Sequence, residues 1–127
     1  MDAAIIEALE TGDMIDITTI GRRSGNPTKT EIWYHRALGR YFITGSPGSR
    51  NWLANVKTNP KFTFHLKQSA QADLPATARV ITDPAERREV MDAIDKVRPY
   101  YGELPGGMEA MYEGGPLIEV NFDEPVG

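Results

Sequence analysis

Thr18-Thr19-Ile20-Gly21-Arg22-Arg23-Ser24-Gly25-Asn26-Pro27, followed by Glu31-Ile32-Trp33-Tyr34, is the stretch whose reading decides the fold. A glycine-bounded turn separates two runs, Met14 to Ile20 and Thr28 to Arg36, that are rich in Ile, Thr and aromatic residues. Such runs favour strands, and so short a connection makes them an antiparallel hairpin. The turn carries two adjacent arginines. Guanidinium forks pair bidentately with phosphate or carboxylate, so this turn is a candidate anion receptor; the plainer alternative is a solvated, charged hairpin turn.

Working outward, Asp2 to Glu10 reads as a short helix with Ile5, Ile6 and Leu9 on one stripe, ended by Thr11-Gly12. On the other side Leu38-Gly39 marks a second turn and Tyr41 to Thr44 a third strand. The loop Ser46-Pro47-Gly48-Ser49-Arg50-Asn51-Trp52 opens a helix over Ser49 to Thr58. Ser49 is its expected N-cap, Trp52, Leu53 and Val56 its apolar stripe, and Asn59-Pro60 its end. A helix start presents unpaired N–H groups, making this loop a candidate second anion-receptive element, although the loop taken alone favours a capped helix with Trp52 as core filler.

Lys61 to Lys67 alternates, with Phe62, Phe64 and Leu66 on one face. Ala76 to Thr82 is expected as a fifth strand. Asp83-Pro84-Ala85-Glu86 combines an N-cap, a proline at the first helical position and a capping-box glutamate. Val90, Ile94, Val97 and Tyr101 then follow at helical spacing. Gly102 to Gly115 reads as a loop with a helical turn over Met108 to Tyr112, and Pro116 to Phe122 as a sixth strand. Six mainly antiparallel strands with three or four helices predict an α+β chain, a β-barrel or strongly curled sheet decorated by helices, since closing the sheet removes its edges.

A chain of 127 residues is long enough for one core and predicts one domain over 1–127. Its net charge of −4 argues against nucleic acid as a partner. Any anion site must therefore be local, and Arg22 to Arg50 holds Arg22, Arg23, Lys29, Arg36, Arg40 and Arg50 against one carboxylate, Glu31. The absence of cysteine removes disulfides, thiol nucleophiles and thiolate metal sites and fits a cytoplasmic protein. No stretch reads as a signal peptide or membrane span.

His35 and His65 fall on strands with no acidic cluster to complete a metal site, and read as surface or satisfied histidines. Tyr100, Tyr101 and Tyr112 gather around the glycine-rich loop, where a phenol could orient a substrate or donate a proton, or merely cover core. No Ser/His/Asp spacing, paired-carboxylate motif, P-loop or dinucleotide fingerprint stands out. If the chain is an enzyme, its reactive atom belongs to a cofactor.

Thr18 to Pro27, Ile32-Trp33-Tyr34, Gly39-Arg40-Tyr41, Trp52-Leu53-Ala54-Asn55 and Asn59-Pro60 agree in order with one family. Together they resemble the deazaflavin-dependent nitroreductases and quinone reductases, whose fold is a split β-barrel related to the FMN-binding pyridoxamine-phosphate-oxidase barrels. The resemblance implies transfer of a hydride from reduced coenzyme F-420 to a nitro compound, quinone or activated double bond. It implies that Arg22, Arg23 and Ser24 contact the coenzyme's phosphate or oligoglutamate tail. Thr44, Gly45, Ser46 and Gly48, with the Ser49–Arg50 helix start, would line ring and phosphate, with Trp52 and Asn55 packed behind. Tyr100, Tyr101 or Tyr112 would be the substrate-side phenol.

The chain departs from the family pattern at Thr28, where members that use the coenzyme carry an arginine, leaving the neighbouring Lys29 in the cofactor-binding set. Glu31-Ile32 replaces a Pro-Leu pair, and the loop before Trp52 is short. FMN as cofactor, or a non-catalytic barrel holding a lipid, flavin or tetrapyrrole, are therefore alternatives. Related flavin barrels place cofactor at a dimer interface, so a homodimer is an open expectation.

Overall fold

The computed structural model describes residues 1–46 and 50–126. Met14–Ile20 (β1) and Pro27–Ala37 (β2) form the expected hairpin, with Met14 opposite Trp33 and Ile20 opposite Pro27. Within its turn the Gly21 N–H donates to the Asn26 carbonyl at 2.8 Å and the Gly25 N–H to the Gly21 carbonyl at 2.9 Å. Gly25 has a φ of +73°, which a side chain would disfavour. A second hairpin joins β2 to Arg40–Thr44 (β3) through Leu38 and Gly39, both at positive φ, the two-residue geometry that suits strand twist.

Lys61–Leu66 (β4), Ala72–Val80 (β5) and Leu117–Phe122 (β6) complete a closed barrel in the order β1-β2-β3-β6-β5-β4, every pair antiparallel. Alternation sends Ile15, Ile17, Ile32, Tyr34, Ile43, Phe62 and Phe64 into its interior. Helix α1 (Ala3–Thr11) closes one end with Ala8 and Leu9, and the Tyr34 hydroxyl donates to the Leu9 carbonyl at 2.8 Å. Helix α2 (Asn51–Thr58) adds Trp52 and Val56 to the same core.

Helices α3 (Pro84–Val97) and α4 (Gly107–Glu113) cover part of the barrel's outer surface with a second core of Phe42, Ile81, Val90, Met91, Ile94, Met111 and Leu117. Arg87 is buried inside it. Its guanidinium donates to the carbonyls of Tyr112 (2.9 Å), Ile81 (2.8 Å), Gly115 (2.6 Å) and Met111, so one cation satisfies the end of α4 and the end of β5.

Four sequence expectations shift. Strand β5 runs from Ala72 to Val80 rather than from Ala76 to Thr82: Pro75 lies within it opposite Thr63 of β4, lacking an N–H but with a carbonyl that accepts from the Asp123 N–H at 3.0 Å. The buried row of α3 is Arg87, Val90, Met91 and Ile94; Val97 is 61% exposed. Tyr101 lies beyond the helix, in the 3-10 turn Tyr101–Glu103, because Pro99 disfavours helical backbone at Arg98, which leaves the helix as its C-cap. Helix α2 starts at Asn51 with Arg50 at its N-cap position, and among the described residues no side chain caps it. The expected cap Ser49, with Pro47 and Gly48, lies outside the described residues.

Candidate functional site

Strand β2 builds the site by alternation. Ile32 and Tyr34 point into the barrel, whereas Trp33, His35 and Ala37 face outward. The α3 end of the molecule covers His35 and Ala37 but leaves Trp33 45% exposed. The uncovered space is a cleft of about 550 Å³ between Trp33 and His35 of β2, Thr44 to Ser46 at the end of β3, and Arg98 to Tyr101. Asp13, Glu31 and Ile32 complete its wall. Tyr100 stands 47% exposed at its edge, with its ring 5.2 Å from that of Tyr101 in an edge-to-face pair. Arg98 lies 4.3 Å above the Trp33 ring and pairs with Asp13 at 3.3 Å.

Within this wall His35 is only 3% exposed. Its Nε2 lies 3.0 Å from the Thr44 hydroxyl and 3.1 Å from the Tyr101 hydroxyl, and those two hydroxyls hydrogen-bond each other. Its Nδ1 is buried without a partner among the described residues. Burial, reinforced by the nearby Arg98 charge, pushes the imidazole down to about 4, so His35 is neutral at pH 7. Burial raises the Tyr101 phenol, with the Thr44 hydrogen bond opposing that rise.

Of the residues singled out from sequence, the cleft gathers Thr44, Gly45, Ser46, Tyr100 and Tyr101. Arg50 adjoins it, its Nη2 donating to the Ser46 carbonyl at 3.1 Å. Arg22 is tied to α2, its backbone N–H donating to Asn55 Oδ1 at 3.1 Å and its Nη1 to the same oxygen at 3.4 Å. Asn55 in turn donates to the Thr19 hydroxyl at 3.1 Å. Arg23 is exposed, and Ser24 accepts from the Asn26 N–H inside the turn. None of these three turn residues lines the cleft.

The remaining candidates lie elsewhere. Lys29 faces Asp16 at 3.8 Å on the far outer surface, among His65 and Lys67. Trp52 is barrel core. Tyr112 packs under the Arg88 guanidinium at 4.1 Å and donates to Asp92, away from the cleft. Gly48 and Ser49 fall outside the described residues. His65 sits between Thr18 and Asp73. Sequence reasoning passed over His35, Arg98 and Trp33 as site residues; β2 alternation placed His35 outward, but nothing local showed that a helix end would bury it.

Among the described residues no group of three or more His, Cys, Asp or Glu is placed to hold a metal ion, and no helix is long and apolar enough to cross a membrane.

Residues 1–109 match the F420H(2)-dependent quinone reductase family, and the chain belongs to it. It is thereby a member of a family of deazaflavin-dependent oxidoreductases. Its barrel is similar to that of an F420-H2 dependent reductase, at 22% identity over 86% of this chain and 94% of that one, with a TM-score of 0.64. A conserved hypothetical protein from Mycobacterium tuberculosis shares 17% identity over 98% and 82%, with a TM-score of 0.73. A FAD-binding protein from Mesorhizobium loti shares 12% over 98% and 91%, with a TM-score of 0.72. The fold is the split β-barrel shared with these neighbours.

Proposed function

We propose that this member of the F420H(2)-dependent quinone reductase family holds coenzyme F-420 in the β2–β3 cleft and reduces a quinone, nitro compound or activated double bond. The observation that carries this reading is the meeting of Thr44, Gly45 and Ser46 with Tyr100 and Tyr101 in one cleft, with Arg50 bonded to its Ser46 end. The residues present fit the group. A cleft of about 550 Å³ is of ligand-binding size, Trp33 and Tyr100 offer half-exposed aromatic surface to a flat ring, and Arg50 offers a cation beyond the small residues.

When bound, the coenzyme supplies a hydride. The chain's own residues bind, orient and protonate. Arg22, Arg23 and Arg50 hold the anionic tail and phosphate, with Ser24 in support. Gly45 and Ser46 bring backbone close to the ring. Tyr100 or Tyr101 is the phenol on the substrate side. In this reading Trp52 is core, Lys29 and Tyr112 belong to the outer surface, the protein is cytoplasmic, and a homodimer is the expected assembly, checked by sedimentation.

The experiment is a titration of purified protein with F-420, FMN and haem, followed by absorbance and fluorescence quenching. Saturable F-420 binding, with reduced F-420 reoxidised by an added quinone, supports the reading. Tighter binding of FMN or haem, or F-420 binding without turnover on any acceptor, moves it to the alternatives named for this barrel.

A further inference from the structure

Side chains from β2, β3 and the 3-10 turn converge in the cleft wall: His35, Thr44 and Tyr101. A neutral imidazole carries one proton on one of two nitrogens. On Nδ1 that proton would be a buried, orphaned N–H, the rarer kind of unsatisfied group in folded chains, since Nδ1 has no partner among the described residues. On Nε2 it meets two hydroxyl oxygens at 3.0 and 3.1 Å, and the unpaired atom is only an acceptor. The geometry therefore makes His35 a fixed donor. Thr44, bonded to both, can turn its own hydrogen onto the phenol oxygen.

Resting on the reading of Tyr101 as a cleft phenol, we propose that His35 and Thr44 are positioning residues: an imidazole N–H and a hydroxyl able to turn its hydrogen, which together hold the Tyr101 oxygen and stabilise its tyrosinate as the phenol delivers a proton into the cleft.

The step balances simply. An acceptor that has gained a hydride carries a lone pair on an electron-rich atom. The Tyr101 O–H bond breaks, the proton joins that atom, and the negative charge stays on Tyr101 Oη, facing His35 Nε2–H and the Thr44 O–H. Water entering the cleft then returns the proton to Tyr101. No electron passes through the three side chains. Hydrogen bonds to an ionised oxygen are stronger than those to a neutral one, so the two donors favour tyrosinate over phenol and help only as the charge forms. Burial works against ionisation, and the Thr44 bond and the Arg98 charge work for it, with Tyr100 opposing. Arg98, Asp13 and Tyr100 are the charged and titratable groups that bear on the cluster, and none is altered in the test.

The test labels tyrosine Cζ with carbon-13 in the coenzyme-free protein and follows Tyr101, assigned by its loss in Tyr101→Phe, through an alkaline titration. His35→Phe and Thr44→Val should each raise its midpoint by about one pH unit, a tenfold loss of acidity. His35→Gln, which can place an N–H near the same point, should recover most of that loss, as a merely space-filling role would not. With coenzyme and quinone supplied, His35→Phe should lower kcat about tenfold with KM little changed. An unmoved Tyr101 midpoint in Thr44→Val and in both His35 variants overturns the proposal, and Thr44→Val keeps that outcome available if His35→Phe does not fold. A chain that turns over no acceptor overturns the functional reading instead, and the resonance still reports whether the two donors hold the oxygen.

Discussion

Two buried residues set what single substitutions should do. His35 falls from an ordinary imidazole value of 6.5 to about 4, with burial as the main cause. Between those values the unfolded chain takes up a proton that the folded chain refuses. Stability is thus complete above about pH 6.5 and is lost as pH falls toward 4, by at most about 3 kcal/mol. Asp16 and Glu86, held below the ordinary carboxylate range by Lys67 and Arg79, add their own acid sensitivity. Urea unfolding at several pH values should show His35→Phe with a shallower loss between neutral and acid pH than the parent, the carboxylate share cancelling in the difference. A parallel pair of curves would mean the folded His35 titrates normally. Arg87 offers a second case: Arg87→Met fits the apolar surroundings but strips the shared donor from four carbonyls. The cost should be about 3 kcal/mol, seen as a lower urea midpoint at unchanged slope.

At the scale of elements, the β1–β2 turn is held by α2 as well as by its own backbone hydrogen bonds. Asn55 accepts from Arg22 twice and donates to buried Thr19, so Asn55→Ala should destabilise by about 2 kcal/mol and loosen the turn together. Arg22→Ala and Arg23→Ala should each weaken F-420 binding tenfold to a hundredfold, about 1.5–3 kcal/mol per charge-assisted contact, measured by fluorescence titration. If both bind as tightly as the parent, the turn is a soluble hairpin and nothing more. The elements themselves were largely legible in the sequence. Ile and Thr alternation around Gly21–Pro27 located β1 and β2, and Asp83-Pro84 located the start of α3, where the Asp83 carboxylate accepts from the Glu86 N–H at 2.9 Å. What misled was periodicity carried past a proline. Val97 and Tyr101 continue the α3 spacing, yet Pro99 breaks the helix and frees Tyr101 to reach His35. The site was half legible for the same reason: Thr44 to Ser46 and the tyrosines carry local signals, whereas the burial of His35 exists only once the α3 end folds over the outer face of β2.

Across the whole molecule, the proposed tail contacts oppose the overall charge. The chain carries −4, so its average field repels an oligoanionic coenzyme, and attraction must come from Arg22, Arg23 and Arg50 at short range. All three are exposed, which leaves them open to screening over about 10 Å at 0.1 M salt. Arg98 is already engaged by Asp13 and Arg79 by Glu86 and Glu119, so these cations add less to the attraction. Binding of F-420 should therefore weaken severalfold between low and moderate ionic strength, with the loss entering through slower association. Binding of a ring lacking the anionic tail should change far less, because Trp33 and Tyr100 would hold it by apolar contact, which salt does not screen. Dissociation constants for the two ligands, measured across a salt series, separate the contributions. A flat curve for full-length F-420 would remove the arginines from recognition and favour an apolar ligand in the same cleft.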